Sequence, residues 1–82
     1  MYRLRDHEPY AAAVAALPPA LLAPLAELRA SLELSPWTVG TPYVPTNPSG
    51  IRTATAAAGR LVLYYGVIER ERAVDLLNLV AL

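Results

Sequence analysis

The sequence predicts an α+β domain with the element order β-α-α-β-β-β, in which a two-helix hairpin packs on one face of a four-stranded, mostly antiparallel sheet. Apolar residues recur at helical spacing between residues 10 and 34, which predicts the two helices. Runs rich in valine, leucine, threonine and tyrosine follow from residue 51 onward, separated by short turns. Such turns favour antiparallel strand pairs. The length of 82 residues predicts a single domain, residues 1–82.

A short strand and a helix are predicted at the start of the chain. Tyr2 and Leu4 alternate with two arginines, which is the pattern of a strand over residues 2–5 with one face toward a core. Asp6 is expected to cap the helix that follows, with Pro9 in its first turn. The apolar stripe of this helix is Tyr10, Val14 and Leu17.

A second helix is predicted from leucines at helical spacing. They are Leu21, Leu25, Leu28 and Leu32. The prolines of the segment "LPPA" separate the two helices, since proline cannot continue a helix. Pro24 implies either that the regular helix begins near Ala23 or that its first turn is kinked. The helix is expected to end near Leu34, because the residue before Pro36 avoids helical backbone angles.

Residues 36–50 are predicted to form a long ordered loop, in which Trp37 and Tyr43 attach the segment to the body of the domain. These aromatic residues distinguish the segment from a flexible glycine–serine linker. Three strands are predicted after the loop, over residues 51–55, 60–68 and 73–82, joined by the turns "AAAG" and "ERER".

The strand over residues 60–68 is expected to have a buried side and an open side, because side chains alternate between the two faces of a sheet. The buried side consists of Leu61, Leu63, Tyr65 and Val67. The open side consists of Arg60, Val62 and Tyr64. Tyr64 would therefore stand beside Arg60, where it could hydrogen-bond a phosphate or stack on a base. The more common role of a strand tyrosine is packing within the sheet.

The composition restricts the classes of function. The chain has no cysteine and one histidine, His7, which excludes disulfides, thiolate metal sites and histidine-rich metal cages, and no cofactor is predicted. Seven arginines balance seven acidic residues, which argues against strong non-specific binding to nucleic acid. No run reaches the roughly 20 apolar residues of a membrane helix, so the expected location is the cytoplasm. The 55% hydrophobic composition predicts apolar surface that a partner covers.

Three segments, taken in order, match the pattern of a known family. They are "ALPPALLAPLAELRASLELSPW", "IRTATAAAGRLVLYY" and "GVIERERAVDLLNLVAL". They resemble the helix pair, the strand–turn–strand with basic residues, and the acidic turn with a final apolar strand of the RelE/ParE superfamily, bacterial toxins of type II toxin–antitoxin systems. The resemblance covers nearly the whole chain. It implies a RelE/ParE-like fold and a cognate antitoxin that binds the toxin in a hetero-oligomer and covers its site.

The resemblance implies two kinds of activity. Some members are similar to small ribonucleases that cut messenger RNA in the ribosome, and others poison DNA gyrase. For a ribonuclease, the implied catalytic residues are Arg52, Arg60 and Tyr64, and the implied RNA-binding residues are Arg3, Arg5, Arg52 and Arg60. Guanidinium groups suit this chemistry because their planar forks match phosphate oxygens, on which charge builds when the 2′-hydroxyl attacks. Alternatively, Arg52 and Arg60 face solvent or pair with Glu69 and Glu71, and at least one of Arg3 and Arg5 faces solvent.

The sequence departs from the ribonuclease pattern in its last strand. No ionisable residue follows Asp75, whereas ribonuclease members carry additional Lys, Arg, His or Tyr there. Arginine cannot readily lose its proton, and tyrosine is ordinarily a poor base near neutral pH. His7 lies at a predicted helix start, where capping or exposure explains it. Three hypotheses therefore stay open: a messenger-RNA endonuclease, a gyrase poison, and a catalytically inactive interaction domain of the same fold.

Overall fold

The computed structural model describes residues 1–82 as one five-stranded sheet with helices packed on one of its faces. The strands are β1 (Arg3–Asp6), β2 (Thr41–Pro42), β3 (Arg52–Ala56), β4 (Leu61–Ile68) and β5 (Ala73–Ala81). The helices are α1 (Glu8–Ala15), α2 (Leu22–Leu34) and α3 (Pro36–Val39), and single 3₁₀ turns cover Pro19–Leu21 and Glu69–Glu71. The predicted α+β class and the predicted order of the six main elements are confirmed.

The strand order across the sheet is β1-β5-β4-β3-β2. The last strand of the chain therefore lies inside the sheet, between the first strand and β4. β5 runs parallel to β1, with Arg3 opposite Ala73, and antiparallel to β4. β3 is antiparallel to both of its neighbours, so the sheet is mostly antiparallel, as predicted.

The segment over residues 36–50 is more regular than a loop, which corrects the predicted strand count from four to five. Pro36 occupies the first turn of α3, where its fixed φ angle and missing N–H are compatible with a helix. β2 contributes only Thr41 and Pro42, which pair with β3. Its position at the edge of the sheet tolerates Pro42, because no further strand needs the missing N–H.

The first main helix begins differently from the sequence prediction, whereas the second begins at Leu22, next to the predicted Ala23. Asp6 does not cap α1, because it belongs to β1 and its carboxylate binds Arg29 at 3.0 Å. The residue before α1 is His7, whose side chain makes no capping hydrogen bond, while Pro9 lies in the first turn as predicted. α2 begins two residues before Pro24, so this proline falls in the first turn, where an N–H has no intrahelical partner in any case. No helix is both long enough and apolar enough to cross a membrane.

The core lies between the helices and one face of the sheet. All four predicted leucines of the second helical stripe are buried, and so is the predicted buried side of β4. A β-bulge at Leu77 shifts the alternation along β5. Leu76 and Leu79 are consequently both buried, although strict alternation would place them on opposite faces.

Gly40 joins α3 to β2 where the chain passes close to the sheet. A Cβ atom at this position would lie 2.3 Å from the carbonyl oxygen of Thr53 and 2.6 Å from the phenol oxygen of Tyr65. Both atoms are held in place, since Thr53 belongs to β3 and the Tyr65 hydroxyl donates a hydrogen bond to the carbonyl of Pro36 at 2.8 Å. The missing side chain therefore permits the close approach of the two segments.

We expect Gly40→Ala to destabilise the protein by about 1–3 kcal/mol or more, because the added methyl group overlaps backbone atoms that cannot move independently. Gly66→Ala is the matched control, since a Cβ atom there meets nothing within 4 Å. That control should change the free energy of unfolding by less than about 1 kcal/mol. Urea unfolding followed by circular dichroism measures both values, and equal midpoints for the two variants would contradict the close approach at Gly40.

Candidate functional site

The face of the sheet opposite the helices carries half-buried and exposed side chains along β3 and β4. The strand register places four polar side chains in one row across the sheet, and we call them the polar row: Thr41, Thr53, Tyr64 and Asn78. The β-bulge at Leu77 lies directly beside Asn78. Bulges of this kind are enriched next to active sites, because they change the direction of neighbouring side chains.

A second tyrosine contacts the polar row. The ring centroids of Tyr43 and Tyr64 lie 5.6 Å apart, and the ring planes are inclined by 69°, which is a favourable edge-to-face arrangement. The backbone N–H of Tyr43 also donates a hydrogen bond to the carbonyl of Ile51 at 2.8 Å. Tyr43 thus attaches its loop to the open face, yet 59% of this side chain stays exposed.

Arg60 lies in the turn between β3 and β4, at one end of the open face. Its side chain is exposed and forms no ion pair. Its carbonyl accepts a hydrogen bond from the N–H of Leu82 at 2.8 Å, which continues the strand ladder, so alternation places Arg60 on the same face as Tyr64. The strand between the two residues spans about 13 Å, at about 3.3 Å per residue.

Arg52 is buried, with 6% of its surface exposed, on the face of the sheet that packs against the helices. Its Nη1 donates a hydrogen bond to the carbonyl of Pro48 at 2.9 Å, and its Nη2 donates to the carbonyls of Trp37 and Gly40 at 3.0 Å each. The guanidinium carbon also lies 5.3 Å from the centroid of the Trp37 ring. Arg52 therefore neither faces solvent nor pairs with Glu69 or Glu71, because its guanidinium group holds the segment from α3 to β3.

The structure does not bring Arg52 and Arg60 together. Arg52 pairs with Tyr65 at one end of the β3–β4 hairpin, whereas Arg60 lies in the turn at the other end. They also belong to opposite faces of the sheet. The two guanidinium groups consequently cannot bind one phosphate. Of the three predicted catalytic residues, only Arg60 and Tyr64 lie on the open face.

Arg5 is occupied by carboxylates at the β1–β5 edge of the sheet. Its Nε donates to Asp75 at 2.6 Å and its Nη1 donates to Glu71 at 2.5 Å. The hydrogen bond from Arg5 lowers the pKa of Asp75. Nε2 of His7 lies 3.4 Å from the same carboxylate oxygen, so His7 belongs to this edge and not to the surroundings of Arg60. Arg3 is exposed without an ion pair.

Glu69 forms a cluster that the sequence analysis did not identify. One carboxylate oxygen accepts hydrogen bonds from Trp37 Nε1 at 2.7 Å and from the Tyr2 hydroxyl at 2.6 Å, while the other accepts from Arg72 at 2.8 Å. These donors, Trp37 first among them, lower the pKa of Glu69 from 4.5 to about 2. The cluster ties α3 to the turn between β4 and β5. Residues so distant in sequence carry no local pattern that predicts it.

The charges that lack a partner are separated between the two layers of the domain. The acidic residues without an ion pair lie on the helices: Glu8, Glu27 and Glu33. The exposed arginines without an ion pair lie on the strands and their turns: Arg3, Arg60 and Arg70. The sheet layer therefore favours an anionic partner. No group of three or more His, Cys, Asp or Glu side chains is placed to bind a metal, and the structure contains no pocket.

Two solved structures are similar to the chain over almost its full length. A chain of the toxin–antitoxin complex RelBE2 from Mycobacterium tuberculosis superposes with a TM-score of 0.82 and 24% sequence identity, covering 99% of this chain and 98% of that chain. The chain has a RelE-like fold. A chain of the archaeal RelE–RelB complex from Pyrococcus horikoshii gives a TM-score of 0.70 at 21% identity, covering 98% of this chain and 93% of that chain. No protein-family model and no curated protein sequence matches the chain.

The RelE-like fold confirms the architecture that the resemblance implied. The coverage of 99% means that both helices, the hairpin of β3 and β4, and β5 all belong to the shared fold. At 24% identity the likeness concerns the backbone, so the roles of individual side chains have to be argued from their contacts in this chain.

Arg52 and Arg60 provide a matched pair of variants, because one arginine is buried and hydrogen-bonded and the other is exposed without a partner. We expect Arg52→Met to destabilise the protein by about 2–4 kcal/mol, because several carbonyl oxygens lose a charged hydrogen-bond donor. Arg60→Met should change the free energy of unfolding by less than about 0.5 kcal/mol, since an exposed side chain without partners is removed. Urea unfolding at neutral pH measures both, and similar values for the two variants would contradict the assignment.

The Glu69 cluster predicts a pH dependence of stability. Because the folded-state pKa is about 2 and the ordinary value is 4.5, the contribution of Glu69 is fully present above pH 4.5 and is lost as the pH falls toward 2. Glu69→Gln should therefore lose less stability than the wild type across this interval. Thermal melts from pH 6 down to the acid limit of folding, followed by fluorescence of the single tryptophan, measure the difference. Parallel pH profiles for the two proteins would show that the cluster does not stabilise the ionised carboxylate.

Proposed function

We propose that the chain is the toxin of a type II toxin–antitoxin system, that it cleaves messenger RNA on the ribosome, and that a cognate antitoxin neutralises it in the cytoplasm. The observation that carries the proposal is the superposition on a chain of a toxin–antitoxin complex over 99% of this chain. The charge distribution supports it, because the unpaired arginines of the sheet layer suit a polyanionic substrate.

Arg60 is the proposed catalytic residue of this reaction. The 2′-oxygen of one nucleotide bonds to the neighbouring phosphorus and the P–O5′ bond breaks, which gives a 2′,3′-cyclic phosphate and a free 5′-hydroxyl. The 2′-hydroxyl proton passes to solvent and the leaving 5′-oxygen takes a proton from solvent, while negative charge builds on the phosphorane oxygens. An exposed guanidinium group without an acidic partner can donate two parallel hydrogen bonds to these oxygens. Tyr64, on the same face, is proposed to orient the substrate. We propose Arg52 as a positioning residue, since its contacts hold the segment that carries Tyr43.

The antitoxin is the proposed partner of the apolar surface around the open face. Tyr43, Ile51 and Val80 are exposed by 59%, 48% and 36%, and apolar surface collected on one face of a domain is typical of a protein–protein interaction site. An antitoxin bound there would remove this surface from water and cover Arg60 and Tyr64. The two similar structures are complexes of RelE with RelB proteins, and the proposal extends that arrangement to this chain.

A gyrase poison or an inactive interaction domain is the second candidate. The backbone of Arg60 is hydrogen-bonded to Ala57 in the turn and to Leu82, and Leu61 follows it in the chain. None of these residues has a side chain that can transfer a proton. The only histidine lies against Asp75 at the other edge. This arrangement supplies charge stabilisation without a proton-transferring side chain beside Arg60, and that observation supports the second candidate.

Induced expression with mapping of messenger-RNA ends tests the proposed activity. The wild type should stop growth and produce new RNA ends, and co-expression of the antitoxin should restore growth. We expect Arg60→Gln to lower the cleavage rate by about 100-fold, the effect of removing one charge-stabilising donor. Arg70→Gln is the control, because Arg70 is also exposed and unpaired but lies in the turn at the opposite end of β4.

The remaining outcomes separate the candidates. Growth arrest without new RNA ends, combined with blocked supercoiling by purified gyrase, would replace the endonuclease with a gyrase poison. No growth arrest and no cleavage would leave an interaction domain. Equal loss of cleavage in Arg60→Gln and Arg70→Gln would remove the catalytic role of Arg60.

A further inference from the structure

The polar row presents hydrogen-bonding groups that the protein itself does not use. Tyr64 and Thr53 are half-buried neighbours on paired strands, and neither side chain has a hydrogen-bond partner within the domain. Asn78, the exposed neighbour on the other side of Tyr64, accepts the N–H of Leu79 with its Oδ1 at 2.8 Å. This contact fixes the amide and leaves its Nδ2 donor free. Hydroxyl and amide groups thus flank an aromatic ring, which is the combination that recognises a nucleobase by stacking and by its polar edge.

Tyr43 adds an aromatic surface whose position is fixed by the fold. Its ring contacts Tyr64 at 5.6 Å between centroids, and its backbone is bonded to Ile51. Arg52 holds the ends of the same segment through the carbonyls of Gly40 and Pro48. A side chain that is 59% exposed on an anchored backbone can stack on a ligand with little additional loss of conformational entropy.

The charges around this surface favour a ligand with a phosphate backbone. Arg60 lies about 13 Å along the strand from Tyr64, within reach of an extended arginine side chain and an adjacent nucleotide. The polar row itself carries no acidic residue. Asp75, the acidic residue of β5, is neutralised by its 2.6 Å contact with Arg5.

We propose that Tyr43, Tyr64 and the polar row form a subsite for one unpaired base of single-stranded RNA, with the base stacked on the tyrosine pair and a neighbouring phosphate bound by Arg60. This proposal rests on the proposed function, since it assigns the substrate contact of the same face. A single strand is required because the base faces of a duplex are already stacked. Tyr43 is a positioning residue here, because it binds the base and takes no part in bond cleavage.

The test compares Tyr43→Phe, which keeps an aromatic ring, with Tyr43→Leu, which keeps an apolar side chain without one. The probe is a fluorescein-labelled, unstructured RNA of roughly 12 nucleotides, within the site sizes of single-strand-binding folds. Fluorescence anisotropy with the purified full chain should give binding about 5- to 100-fold weaker for Tyr43→Leu and near wild-type binding for Tyr43→Phe. The same RNA annealed to its complement should bind more weakly to the wild type. Val44→Ala, the exposed apolar neighbour, should bind like the wild type.

The cleavage assay supplies a second readout. Because a stacked base is held in the ground state and in the transition state alike, Tyr43→Leu should raise KM and leave kcat near the wild-type value. Thermal melts should show that the variants are folded, as expected for a side chain that is mostly exposed.

Several outcomes would overturn the subsite. Equal RNA affinity of Tyr43→Leu and the wild type would refute the subsite. Equal affinity of the wild type for the duplex and the single strand would refute it as well. A loss of antitoxin binding with unchanged RNA binding would assign the tyrosine pair to a protein partner instead. RNA binding that depends on Tyr43 in a chain that cleaves no messenger RNA would support the subsite and refute the endonuclease. Cleavage with equal KM values for the wild type, Tyr43→Phe and Tyr43→Leu would refute the subsite and leave the proposed endonuclease in place.

Discussion

The architecture of the sheet side of this domain depends on one buried cation. Arg52 is enclosed without a carboxylate partner, and its charge is balanced by the carbonyl dipoles of Pro48, Trp37 and Gly40 and by the face of the Trp37 ring. Hydrogen bonds and a cation–π contact of this kind stabilise a buried charge, and they engage both Nη atoms of Arg52 while its Nε has no hydrogen-bond partner. The consequence is reciprocal, because the same hydrogen bonds fix the positions of these three carbonyls in the segment from α3 to β3. The loop that carries Tyr43 is therefore held in place by contacts on the helix-facing side of the sheet.

Most of the fold could be predicted from the sequence because it rests on periodicity. The leucines of α2 and the alternating side chains of β4 both obey simple repeats, and both are buried as predicted. The features that could not be predicted break a repeat or depend on distant partners. β2 has only two residues, too few for any pattern, and the bulge at Leu77 changes the alternation in the middle of an otherwise regular strand. Asp6 has a side chain that can cap a helix, but its carboxylate forms an ion pair with Arg29, which is distant in sequence.

The candidate site was predicted less well because Arg52 was assigned to it by resemblance to a family. Arg52 shares its side of the strand with Ala54, which is buried in the structure, but the alternation of Ile and Thr with Arg and Ala does not show which side of β3 meets the helices. Arg60 is exposed, as expected for a residue at the end of a strand with regular alternation. The contribution of Tyr43 could not be derived, since a contact between residues 43 and 64 depends on the tertiary path of the loop.

The place of β5 in the sheet has a consequence for how the domain forms. This strand is the last element of the sequence, yet it separates β1 from β4 and contributes Val74, Leu76 and Leu79 to the core. Its parallel partner begins 70 residues earlier, as the pairing of Arg3 with Ala73 shows. Contacts of such long range slow folding, because a large loop must close before they form. During synthesis β1 and the β2–β4 part of the sheet consequently stay unjoined until β5 has emerged from the ribosome.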